Sequence, residues 1–211
     1  MSLAGTPKEI DEVVMAFCNE VVAGSNPYYV NVLPDSWAKP NECFPNVARK
    51  VESEQGNIVY GWQVWVWPDI FIEAEFHAIW QSPTGEFIDI TPKQCKSSNI
   101  LFITAPELKY HGTDVDNIRK SLSQNKLVDD FILLSMCRFQ LLSAGTNADS
   151  RKVRVSEHEL LALTQLHQMV FQMLKDEKTS NAQCLCGSGS KFKHCHKKHV
   201  QQAAKHYGVA I

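Results

Sequence analysis

No stretch of this 211-residue chain approaches the roughly 20 uninterrupted apolar residues that a membrane helix needs. The richest run, Phe131 to Leu142, is about half that length and is interrupted by Arg138. Glycine and proline are scarce, at 10 and 9 residues, and 44% of the residues are hydrophobic, which argues against fibrous and disordered classes. One medium domain with a small appendage remains. The opening MSLAGTPKEIDE has neither the basic start nor the apolar stretch of a secretory signal, so a cytoplasmic protein is expected, and MSL is compatible with a cloning remnant. An even disulfide framework is also missing. The 7 cysteines are an odd number, and Cys18, Cys43, Cys95 and Cys137 are widely scattered while three cluster near the end. A reducing compartment and a terminal metal site are the expectation.

Acid is absent from the last part of the chain, since all 23 acidic residues lie at or before Glu177. Up to Lys178 the formal charge is −7; beyond it five lysines (191, 193, 197, 198 and 205) give +5. Such a tail suits an anionic surface, protein, ribosomal or nucleic-acid, although a lysine-rich solvated terminus has the same composition.

Apolar spacing predicts an amphipathic helix over residues 8–22, then a loop rich in Asn, Pro and Tyr over 25–40. The stretch Glu42 to Gly56 reads as a helix with Pro45 in its first turn and Gly56 at its end. Four strand-like runs follow, IVYGWQVWVW, IFIEAEFHAIW, EFIDIT and ILFIT, with turns at Pro68-Asp69 and Ser82 to Gly85. The expectation is a helix followed by a meandering antiparallel sheet, an α+β body. Helices are expected again at Val115 to Gln124, at Leu127 to Leu142 and, after a linker over 143–152, from a capping box at Ser156 and Glu159 to about Lys178. The division is 1–110 core, 111–178 helical extension packed on it, and 179–211 tail.

The tail carries C-x-C, eight residues, then C-H, with Gly187 and Gly189 between the pairs. Two close ligand pairs joined by a glycine turn can surround a tetrahedral zinc ion with little chain. A segment this short has little core of its own, so metal would supply most of its folding free energy. This segment resembles the SEC-C motif, the zinc-binding segment named for the C-terminus of the preprotein translocase ATPase and found on many bacterial proteins. The resemblance implies one structural zinc ion held by Cys184, Cys186, Cys195 and His196, with His194 and His199 as substitutes for the histidine.

In the body, Cys43 falls at a helix N-terminus, where the helix dipole favours a thiolate. Strand alternation puts Glu73, Glu75 and His77 on one polar face, and a hairpin through Pro83 to Gly85 can bring Asp89 beside His77. His77 could then exchange a proton with Cys43 while Asp89 orients the ring. The order helix Cys, strand His, next-strand Asp, with Gly85 to Pro92 following, resembles the transglutaminase-like branch of the papain-type cysteine enzymes. That resemblance covers about Asn41 to Pro92, although Trp80 stands three residues after His77 where the family's tryptophan stands two after. It implies a transglutaminase-like or papain-like core and attack of Cys43 on an amide or ester carbonyl, with His77 as base and acid and Asp89 as orienter. Peptidases, amidases, acyltransferases and inactive members all occur in the family. The Cys43 N–H and Asn41 are the candidates for stabilising an oxyanion.

Two other readings stay open. Glu73, Glu75 and His77 could ligate a metal on one strand face. Trp62, Trp65, Trp67 and Trp80 suit core packing better than a substrate groove. The rival to catalysis is an adaptor whose basic zinc tail docks on a partner.

Overall fold

The computed structural model describes residues 4–93, 97–147, 152–153 and 155–210. Cys95 and residues 148–151 of the expected linker fall outside the described residues. The chain forms two compact units, residues 1–120 and 121–211.

Unit 1 opens with helix α1, Glu12–Val21, whose N-terminus is capped by the Asp11 carboxylate accepting from the Val14 N–H at 2.8 Å. Strand β1, Tyr28–Val32, lies inside the segment expected to be loop. Helix α2, Cys43–Glu54, starts at the cysteine itself. Four strands follow: β2 (Asn57–Trp67), β3 (Phe71–Gln81), β4 (Phe87–Asp89) and β5 (Asn99–Thr104). The β2–β3 hairpin turns at Asp69, φ 61°, and the β3–β4 turn closes at Gly85, φ 90°. That is the turn chemistry read from the sequence.

The sheet is not a simple meander. Its order is β2-β5-β1-β4-β3, and β3 pairs back onto β2, so five strands form a barrel-like ring in which β1 and β4 run parallel. The short β1 makes closure possible by filling the gap between β4 and β5. One buried cluster, Val30, Ile79, Ile100 and Phe102 with Val59 and Phe87 against it, draws on all five strands and therefore lies within the ring. On the other face of β3, Ala78 and Trp80 pack under Val47 of α2. Trp62 and Trp80 are buried, in line with core packing for these two. The expected helix at Val115 to Gln124 is instead a strand, β6 (Ile118–Ser121), which extends the sheet from β3. Arg119 and Asn117 bind the Glu73 carboxylate there, and those side-chain contacts outweigh a weak helical period.

Gly61 sits where β2 passes over Phe102. A Cβ there would overlap the Ile103 carbonyl oxygen and the Phe102 ring. Gly61→Ala is expected to destabilise unit 1 by about 3 kcal/mol through overpacking. All five tryptophans lie between Trp37 and Trp80, so the fluorescence midpoint in urea reads this unit alone.

Unit 2 contains α3 (Lys126–Gly145), the two-residue strands β7 (Thr146–Asn147) and β8 (Lys152–Val153), α4 (Glu157–Lys175), a 3-10 turn at Phe192–His194 and α5 (Lys197–Tyr207). α4 starts at the expected cap, Ser156 Oγ accepting from the Glu159 N–H. The helices assigned by sequence to a separate extension thus share one compact unit with the tail. The physical reason is burial: Phe192 and Val200 are fully buried and Lys197 grips the buried Asp130 carboxylate at 3.0 and 3.1 Å. Each such apolar side chain contributes about 2 kcal/mol, so the tail does own part of a core. No helix among the described residues is long and apolar enough to cross a membrane.

Candidate active site and metal centre

His77 stands on β3 opposite Gly61 of β2, and it is 4% exposed. The polar strand face that Glu73, Glu75 and His77 share is therefore closed to solvent at His77. Alternation also places His77 on the same side as Ile79, whose side chain lies within the ring. Glu73 is bound by Arg119 and Asn117, and Glu75 accepts from the Trp65 indole at 2.8 Å. These partners occupy the two carboxylates. Among the described residues the only cluster with metal-binding geometry is elsewhere.

Asp89, at the end of β4, is completely buried, and its Oδ2 lies 3.0 Å from His77 Nε2. Its other oxygen accepts from the Thr91 N–H at 2.9 Å, which fixes the carboxylate plane. Thr91 connects this pair to α2, because the buried Asn46 side chain donates to Thr91 Oγ1 at 3.3 Å and to the Lys39 carbonyl at 2.8 Å. Cys43 is one helical turn before Asn46, so the same brace brings the start of α2 to the His77–Asp89 end of the sheet. Cys43 is 8% exposed at the first position of the helix. Among the described residues no hydrogen bond joins its sulfur to the His77 ring, and none engages His77 Nδ1. The contribution of Cys43 to the ring is electrostatic, favouring the His77 imidazolium. Asn41, the candidate oxyanion group, is exposed with φ 61° just before the helix.

Two residues without a sequence signal complete the cluster. Lys93 Nζ lies 2.6 Å from Asp89 Oδ2, 2.8 Å from Gln63 Oε1 and 3.2 Å from His77 Nε2. Gln63 is 1% exposed, and its Nε2 has no hydrogen-bond partner among the described residues.

Burial alone would disfavour the imidazolium of His77. The Asp89 charge, with help from Cys43 and the Asp89 hydrogen bond, outweighs burial and Lys93, and the pKa rises from 6.5 to about 9. Burial would likewise raise Asp89, yet His77 and then Lys93 hold it down from 3.8 to about 2. The His77 contribution to stability is complete below 6.5 and lost as pH rises through about 9; that of Asp89 is complete above 3.8 and lost as pH falls through about 2. Unit 1 is therefore expected to lose urea resistance between 6.5 and about 9. His77→Gln should abolish that alkaline loss, and tryptophan fluorescence checks it.

In the tail, the Cys184 and Cys195 sulfurs each lie 3.2 Å from His196 Nδ1, and Cys186 and Cys195 are 3.5 Å apart. All four ligand atoms fall within 4.8 Å of one another. A tetrahedral zinc with bonds of about 2.3 Å to sulfur needs sulfur edges of about 3.8 Å, so the donor set fits the group. Burial, with His199 and Lys198 beside it, lowers the pKa of His196, favouring the neutral ring that a metal requires. Burial pushes the Cys184 thiol up to about 11, whereas hydrogen bonding with Ser188 brings Cys186 down to about 7. Gly187 and Gly189 take φ of 79° and 75° in the connecting turn. His194 and His199 are not in the cluster. The sequence reading missed α5, although Val200 and Ala204 at helical spacing and Gly208 as left-handed cap were available signals.

Residues 181–198 match the family model of the SEC-C motif. No curated protein matches the chain. No solved structure matches it either.

Proposed function

We propose that unit 1 is a cysteine acyl-transfer catalyst of the transglutaminase-like kind, acting on an amide, and that the tail is a structural zinc module. The observation that carries the catalytic reading is the buried His77–Asp89 pair at 3.0 Å, on the Nε2 side of the ring, with no hydrogen bond to Nδ1 among the described residues and Cys43 braced to the same end of the sheet. Zinc, held by Cys184, Cys186, Cys195 and His196, supplies cross-linking of the tail; four protein ligands leave it no open position for chemistry.

His77 carries on Nδ1 the proton given up by the Cys43 thiol, as its raised pKa of about 9 favours, and the thiolate sulfur attacks the acyl carbon. The C–S bond forms as the carbonyl π pair moves onto oxygen, where the N–H groups at the start of α2 are the nearest backbone donors of that helix. The oxyanion collapses, the C–N bond breaks, and the amine leaves with the proton held by His77. Water, losing a proton to His77, or an acceptor amine then attacks the thioester and expels the Cys43 thiolate. Asp89 keeps Nε2 protonated, so that Nδ1 is the basic nitrogen.

The test uses an activated ester, p-nitrophenyl acetate. A burst of nitrophenolate with acetyl located on Cys43 by mass spectrometry is expected, and Cys43→Ala should abolish it; a burst unchanged in Cys43→Ala defeats the reading. A second reading, an adaptor without catalysis, is favoured by the −7 and +5 charge partition. It requires that removal of residues 179–211 change the partners captured from lysate, and identical partners would defeat it.

A further inference from the structure

We infer that Lys93 is a positioning residue of this site, sharing the Asp89 carboxylate with His77 and so setting how tightly the ring holds its proton and on which nitrogen. The inference rests on the acyl-transfer reading above and assigns a regulator to the same site.

The geometry carries more bonds than one nitrogen can make. His77 Nε2 lies 3.0 Å from Asp89 Oδ2 and 3.2 Å from Lys93 Nζ. With its proton on Nε2 the ring donates to Asp89, and Nδ1 is free to act as base. With Nε2 bare the ring accepts from Lys93 and carries its proton on Nδ1, the arrangement that cannot take a proton from Cys43. Lys93 therefore competes with Asp89 for the ring and with the ring for Asp89, whose Oδ2 it approaches to 2.6 Å.

The ammonium is held in that place. Gln63 turns its carbonyl oxygen to Lys93 at 2.8 Å, and its own buried N–H donors have no partner among the described residues. A side chain that leaves a donor unmet to present its acceptor shows which contact dictates its orientation. The charged or titratable groups facing His77 are Asp89 at the end of β4, Lys93 four residues later and Cys43 on α2. Two of them, Asp89 and Cys43, favour the imidazolium; Lys93 opposes it. Without Lys93 the ring would keep its proton to higher pH and release it less readily to a leaving amine.

The experiment uses the full zinc-loaded chain with labelled histidine, His77 being assigned from the His77→Gln spectrum. Its readouts are the NMR titration of His77 and the pH profile of Cys43 alkylation by iodoacetamide. In Lys93→Met both the ring titration and the alkaline limb are expected to move up by roughly one pH unit, the effect of removing a like charge at close range. Lys93→Arg, which keeps the charge, should stay near wild type. If Lys93→Met does not fold, Lys93→Gln removes the charge while keeping hydrogen bonds to Asp89 and Gln63, and the same shift is expected. A His77 titration in the neutral variant that coincides with wild type overturns the inference. Failure of wild-type Cys43 to alkylate selectively defeats the acyl-transfer reading instead, and the ring titration still decides the role of Lys93.

Discussion

Asp89→Ala is expected to destabilise unit 1 by about 3–5 kcal/mol, because it strands two buried groups that share one carboxylate. His77 and the Lys93 side chain are 4% and 9% exposed, so neither can recover its lost partner from bulk water. His77 can respond by shedding its proton, but among the described residues Lys93 is left with the Gln63 carbonyl oxygen and a neutral imidazole. The tryptophan-detected melting midpoint should fall by about 15 °C for a unit of this size. The double variant Asp89→Ala, Lys93→Met should recover a substantial part of the loss, since replacing all charged members of a buried group costs less than orphaning one. A double variant as unstable as the single one would show that the cost lies in the Thr91 turn that Asp89 also holds.

The second large effect concerns the metal. Zinc binding is worth about 10–16 kcal/mol in small structural modules, so one ligand of four is worth about 3 kcal/mol, or roughly a hundredfold in affinity. Cys195→Ser, which removes the sulfur that lies 3.5 Å from Cys186 and 3.2 Å from His196, is expected to lower bound zinc from one ion per chain to a small fraction after dialysis. Hydrogen exchange should then become fast over residues 184–196. α5 is expected to keep partial protection, because Val200 is fully buried and Lys197 is tied to Asp130. If α5 exchanges as freely as the metal loop, the metal and not the apolar contacts holds that helix. Retention of a full zinc ion by Cys195→Ser would remove that cysteine from the ligand set.

What the sequence makes legible is local. Helix α2 starting at Cys43, the β2–β3 hairpin, the Ser82 to Gly85 turn and the ligand spacing of the tail all depend on residues near one another in the chain. His77 beside Asp89 follows from a hairpin of short loop, and the structure brings those two within hydrogen-bonding distance. Ring closure depends on β1, five residues within an Asn, Pro and Tyr-rich segment, whose strand character comes from partners more than 55 residues away at Ile88 and Leu101. No periodic signal could announce it. The same holds for Lys93, which follows a proline in an irregular segment, and for Gln63, a polar residue on a strand that reads as apolar. The burial of His77 carries no sequence signal, since Glu73 and Glu75 share its strand face. Arg119, Asn117 and the Trp65 indole supply the partners that let those carboxylates stay.

The central claim is that Cys43 and His77 work as a pair, and competitive alkylation tests it most directly. Wild type, Cys43→Ala and His77→Ala, each zinc-loaded, are treated with limiting iodoacetamide near the ordinary histidine pKa of about 6.5, and modified sites are located by mass spectrometry. Modification concentrated on Cys43 in wild type, and at least tenfold slower in His77→Ala, is the expected result, in keeping with the contribution of a paired base. Slow modification of Cys43 at a rate indifferent to His77→Ala would contradict it, leaving Cys43 a core thiol and the buried His77–Asp89 pair a structural one.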